Sequence, residues 1–117
     1  MKDCFLQPTP RELRSYEASP GVSPFEDWLE NLRDRKGRAT IQVRLDRLEQ
    51  GNFGLCKAVG GGVLELKIDF GPGYRVYFAE DGSRVVLLLL AGDKGSQRRD
   101  IQLAQQYWQE YRESRNA

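Results

Sequence analysis

The apolar residues of this chain recur every three or four positions in its first half and every second position in its middle. In "SPFEDWLENLRD", Phe25, Trp28, Leu29 and Leu32 fall on one side of a helix. Ser23 is placed to cap that helix, Pro24 takes its first position, and Glu26 stands at capping-box distance. Gly37 is expected to mark the break. Beyond it Ile41, Leu45 and Leu48 line a second helix, with Arg44 and Arg47 beside them, that ends at "GNFG". So short a join predicts an antiparallel helical hairpin.

The period then switches to two. In "VLELKIDF", Leu64, Leu66, Ile68 and Phe70 face one way, and Glu65, Lys67 and Asp69 face the other. "YRVYF" sets Tyr74, Val76 and Phe78 against Arg75 and Tyr77. "GSRVVLLLLAG" is apolar on both faces, as a strand covered on both sides must be. "EDGS" between them holds an Asp-Gly pair suited to a two-residue turn. "RELRSYEAS" alternates enough for a short first strand. The chain closes on a helix with Ser96 as N-cap and Ile101, Ala104, Trp108 and Tyr111 on one face. The order is β-α-α-β-β-β-α, an α+β fold with an antiparallel sheet, a helical hairpin on one face and a C-terminal helix. Residues 1–10, with both prolines of "QPTP", are expected to be a loose terminus, and residues 11–117 one domain.

Register follows from keeping the faces apart. A two-residue loop in "DFGPGYRVYF" mixes them, whereas a three-residue loop, Gly71 to Gly73, pairs Phe70 with Tyr74, Ile68 with Val76 and Leu66 with Phe78. Asp69 then faces Arg75 and Lys67 faces Tyr77. Carried through the Asp-Gly turn, Arg75 lies beside Leu88 and Tyr77 beside Val86. Arg75 is thus either one half of an exposed pair with Asp69, which pattern alone favours, or a group held to meet an anion.

Composition narrows the chemistry. There is no histidine among the 117 residues, so a histidine-based triad is excluded and a zinc site is not expected. The formal charge of +1 makes no case for nucleic acid by itself, yet Arg33, Arg35, Lys36, Arg38, Arg44 and Arg47 face only Asp34 and Asp46 in one stretch. The longest apolar run, Val85 to Ala91, is too short to span a bilayer, and "MKDCFLQPTPRE" has no apolar signal core. A cytoplasmic protein with Cys4 and Cys56 as free thiols is expected. "VGGGV" lacks the residues of a phosphate loop and reads as a turn. Glu26, Asp27 and Glu30 read as a solvated helix face, and Trp28 and Trp108 as packing anchors.

One run is more specific. An aromatic-x-x-Trp-Leu-x-x-Leu-x-Asp helix (Phe25 to Asp34) is followed by a basic helix and an acidic-Leu-basic strand (Glu65, Leu66, Lys67). After these come "GPGYRVYF" and Gly92-Asp93-Lys94. From Ser23 to Trp108 this resembles the addiction-module killer proteins of the RelE/ParE toxin superfamily, in the HigB-like branch. The resemblance implies a toxin neutralised by a cognate antitoxin in a hetero-oligomer. It also implies a metal-independent, cofactor-free endoribonuclease that cuts messenger RNA on the ribosome.

Such a reaction, attack of a 2′-hydroxyl on the adjacent phosphate, suits clustered cations in a chain without histidine. By position, the resemblance makes Arg75 the group that stabilises the phosphorane, Lys67 the base and Lys94 the proton donor. Lys57, Tyr77, Arg98, Arg99, Arg44 and Arg47 become candidates to contact RNA. Two positions depart from the best-known ribosome-dependent members: Glu65 stands where they have a second lysine, and Asp100 where they have an aromatic residue. The alternatives are a ParE-like, non-catalytic inhibitor of DNA gyrase and an inactive antitoxin-binding relic.

Overall fold

The computed structural model describes residues 9–116, so the expectation of a loose terminus lies almost wholly outside it, as does Cys4. The elements are β1 (Glu12–Ser15), α1 (Pro24–Glu30), α2 (Arg35–Glu49), β2 (Cys56–Gly60), β3 (Val63–Ile68), β4 (Tyr74–Asp81), β5 (Val85–Gly92) and α3 (Gln97–Asn116). The sheet runs β1-β5-β4-β3-β2, with β1 parallel to β5 and the other neighbours antiparallel. The α+β class is as expected, with one strand more than the pattern predicts. That strand, β2, carries no period-two alternation and is joined to β3 through the glycine turn of "VGGGV".

The sheet is the middle of three layers. Leu66, Ile68, Tyr74, Val76 and Phe78 meet Phe25 of α1 and Ile41, Leu45 and Leu48 of α2 on one face. Val63, Tyr77, Ala79, Leu87, Leu89 and Leu90 meet Ala104 and Trp108 of α3 on the other. Each of the first two helices is held chiefly by the sheet, α1 against β5 and α2 against β3.

Local chemistry decides where the helices start. Ser23 accepts from the Glu26 N–H at 3.2 Å, the expected cap. The capping box is not closed, because the Glu26 carboxylate instead takes the Ser15 hydroxyl of β1 at 2.5 Å. Gly37 does not break the helices. The break is Asn31 to Asp34, and Asp34 caps α2 by accepting from the Gly37 N–H at 2.9 Å. Its second oxygen accepts the Tyr74 hydroxyl at 2.7 Å, which ties the start of α2 to β4. Ser96 closes a 3-10 turn, Lys94–Ser96, and gives its hydroxyl to the Asp100 carboxylate at 2.5 Å, so it does not act as the expected cap of α3.

Both hairpin registers differ from expectation. β3 and β4 pair Ile68 with Tyr74, Leu66 with Val76 and Lys67 with Arg75, leaving Asp69 to Gly73 as a five-residue connection. The faces are as expected because a shift by two residues conserves them. Arg75 therefore faces Lys67, not Asp69. Between β4 and β5, Asp81 pairs with Val85 across a three-residue loop, and a bulge follows at Tyr77/Phe78. The bulge sets Leu89 and Leu90 on the same side, and it moves Gly92 beside Arg75 and Leu90 beside Tyr77.

Candidate active site

The two registers build a row across the sheet. Lys67 on β3, Arg75 on β4 and Gly92 on β5 are consecutive partners, so Lys67 and Arg75 project to the same side, the side of α3. The chain then runs two residues on to Lys94, exposed in the 3-10 turn. A Cβ placed on Gly73 (φ 80°) would stand 3.1 Å from Arg75 Nη1 and 3.7 Å from Lys94 Cβ. Arg75 and Lys94 thus both come close to Gly73, and Lys67 is the cross-strand partner of Arg75, at the end of the sheet where β3 and β5 finish and β4 begins. Gly92 lets α3 close on this end, since a Cβ there would lie 2.0 Å from Asp100 Oδ2.

Arg75 is only 6% exposed. Its Nη1 donates to the Gly73 carbonyl at 2.7 Å, and its Nε lies 3.8 Å from Glu65 Oε2, beyond hydrogen-bond reach. Glu65 is itself buried at 1% exposure and accepts from Gln97 Nε2 of α3 at 2.8 Å. Lys57 Nζ on the neighbouring β2 is 3.9 Å from its other oxygen. The two positions that depart from the toxin pattern, Glu65 and Asp100, are therefore both interior acids, Glu65 bonded to Gln97 at the start of α3 and Asp100 to Ser96 of the 3-10 turn just before it.

Tyr77 corrects an expectation. Its ring is fully buried between the sheet and α3, so it presents no face to RNA. Burial, and next the Glu65 carboxylate, push its hydroxyl well above the usual phenol range. Arg44 is largely engaged in the fold. It donates to the Lys67 carbonyl at 2.9 Å and reaches the Leu55 carbonyl, tying α2 to the end of β3. Burial, and then Arg47, lower its pKa. Arg47, Lys57, Arg98 and Arg99 are exposed. Arg98 and Arg99 border a shallow cleft with Gly95, Ser96 and Gln102, and Lys57 and Lys67 border another with Leu55, Cys56 and Glu65. Arg47 lines neither cleft.

Cys56 is a free, half-buried thiol whose pKa is raised by burial, the opposite of an activated nucleophile. Among the described residues no group of His, Cys, Asp and Glu side chains could hold a metal ion, and no helix is long and apolar enough to cross a membrane.

Sequence reasoning missed the inner acid, Glu65. An acid at an alternating position of a strand reads as solvent-facing, and nothing local signals that α3 will cover it. The outcome is a sheltered Arg75 guanidinium with exposed Lys67 as its cross-strand partner and exposed Lys94 in the turn beyond β5.

Comparison with known proteins bears on this site. The family described as "Phage derived protein Gp49-like (DUF891)" matches residues 27–109, a span that includes Lys67, Arg75 and Lys94. The chain is also 44% identical over 86 residues to an uncharacterized protein of Haemophilus influenzae (strain ATCC 51907 / DSM 11121 / KW20 / Rd). That similarity covers 74% of this chain and 87% of the relative.

Proposed function

For a chain that belongs to the Phage derived protein Gp49-like (DUF891) family, and with it to the RelE/ParE-like toxin fold, we propose the function of a toxin that halts translation by cutting ribosome-bound messenger RNA. The observation that carries this reading is the Lys67–Arg75 pairing with Lys94 beside it. Like charges directly opposite one another weaken a sheet, so the arrangement becomes favourable once an anion lies among them. A phosphodiester supplies that anion, and its cleavage by internal attack uses groups of this kind.

In the proposed reaction the 2′-hydroxyl attacks the adjacent phosphorus while its proton passes to Lys67 as the base. Arg75, always charged, draws the added negative charge of the phosphorane toward its planar donors. The bond from phosphorus to the 5′-oxygen breaks, and Lys94 gives that oxygen a proton. The products are a 2′,3′-cyclic phosphate and a 5′-hydroxyl end. Arg98, Arg99, Lys57 and Arg47, all exposed, supply further contacts to the RNA or ribosome. Inside the producing cell, a cognate antitoxin covers the Lys67–Arg75 side, with an acidic segment meeting these cations.

The test is translation in a cell-free bacterial extract with purified protein, wild type beside Lys67→Met, followed by primer extension on the reporter message. Wild type is expected to stop synthesis with ribosome-dependent cuts that Lys67→Met does not make. An intact message with synthesis continuing overturns the proposal, and inhibition of gyrase supercoiling by the same preparation redirects it to the ParE-like activity.

A further inference from the structure

We infer that Glu65 is a positioning residue, whose buried carboxylate fixes the orientation of the Arg75 guanidinium and is itself locked by Gln97 of α3. What Arg75 faces rests on the function proposed above; the contact between the two side chains does not. An ionised carboxylate withdrawn from water needs both hydrogen bonds and an opposite charge nearby. Glu65 finds its hydrogen bond in Gln97 at 2.8 Å. Of the two cations close to it, the Lys57 side chain is 68% exposed and so heavily screened, whereas that of Arg75 is 7% exposed. The charge that matters most to Glu65 is therefore that of Arg75.

The constraint runs the other way as well. Arg75 is held at two different nitrogens, Nη1 by the Gly73 carbonyl and Nε by the field of Glu65. Turning the planar group about its Cδ–Nε bond gives up at least one of these. Among the described residues nothing bonds Nη2, which is left for a ligand. Glu65 is next to Arg75 in the sheet by register, since its partner is Tyr77, two residues along β4 on the same side. Gln97 belongs to the first turn of α3, so the helix that covers the sheet also sets the acid that sets the arginine.

The test has two arms. In the first, the Arg75 Nε–H signal is assigned by nuclear magnetic resonance from its loss in Arg75→Lys, and its hydrogen exchange is measured in wild type and in Glu65→Gln. Exchange is expected to accelerate by about tenfold, the scale of one lost charge-assisted interaction. An unchanged shift and exchange rate overturns the inference. In the second, cutting of ribosome-bound message is expected to lose roughly tenfold in kcat in Glu65→Gln with KM nearly unchanged, and to recover partly in Glu65→Asp.

Equal cutting by wild type and Glu65→Gln also overturns the inference. If wild type cuts nothing, the proposed function fails while the exchange arm still decides the role of Glu65. Should Glu65→Gln not fold, Gln97→Met keeps the carboxylate and removes its donor. Faster exchange at Arg75 Nε–H is again expected, and no change again overturns the inference.

Discussion

Lys67 of β3 and Arg75 of β4 stand directly opposite each other, two cations on one side of the sheet with no acid as the cross-strand partner of either. Such a pair is kept at a cost of about 0.2–1 kcal/mol to the free protein. Lys67→Met is therefore expected to leave stability equal or slightly higher while lowering RNA cutting by about a hundredfold, the contribution of a general base. Urea unfolding and a cutting assay on the same preparations measure both. A loss of stability in step with the loss of cutting contradicts a functional role for the pair.

Arg75 is different, because removing it strands a buried acid. Arg75→Ala is expected to cost roughly 3 kcal/mol of stability, and adding Glu65→Gln is expected to return a large part of that. A double-mutant cycle in denaturant reads the coupling directly, and strictly additive losses show that the 3.8 Å approach of Nε to Glu65 carries no energy. One practical consequence is that Arg75→Ala by itself does not separate chemistry from folding, whereas Lys67→Met does.

Gly37 reverses an ordinary expectation. Replacing a helical glycine by alanine stabilises a helix interior by about 1 kcal/mol. Here the new Cβ would lie 2.5 Å from Asp34 Oδ2 and 2.7 Å from Tyr74 Cε2, where the cap of α2 bonds the Tyr74 hydroxyl. Gly37→Ala is expected to lower stability by roughly 1–3 kcal/mol, the usual range for overpacking. A raised melting temperature contradicts this close packing of α2 on β4.

Those cases also show how far the residues speak for themselves. Both faces of β3 and β4 were legible, because alternation is a local property, and so was the Ser23 cap. Register was not, since a five-residue loop from Asp69 to Gly73 preserves the same faces as the three-residue loop expected. Asp34 was hidden as a cap by the more conspicuous Gly37. In β2, "CKAVG" has too few alternating apolar positions to declare itself. At the site, Lys67, Arg75 and Lys94 were selected by resemblance; the β3–β4 register pairs the first two, and a bulge that nothing in "VVLLLLAG" announces sets Gly92, two residues before Lys94, beside Arg75. The interior places of Glu65, Asp100 and Tyr77 depend on α3 folding over the sheet, a long-range event without a local signature.

All five tyrosines, Tyr16, Tyr74, Tyr77, Tyr107 and Tyr111, have hydroxyl pKa values raised first by burial, with Tyr74 at about 12. The folded chain thus keeps protons that the unfolded chain releases near pH 10. This contribution to stability is complete below about pH 10 and declines as pH rises through the folded values. Phenolate absorbance is expected to grow together with loss of structure above about pH 10. A tyrosine titrating at the ordinary value while the circular dichroism stays native contradicts the packing of that ring. Tyr74→Phe, which also removes the bond to Asp34, is expected to reduce the alkaline loss.

The central claim is internal attack by a 2′-hydroxyl at a site of three cations. Its most direct test is a reporter message carrying one 2′-O-methyl ribose immediately 5′ of a mapped cut, translated in extract with the wild-type protein. The account predicts that cutting vanishes at that position and continues at unmodified ones. A cut that persists at the blocked ribose, or a message that the protein never cuts even when unmodified, contradicts it.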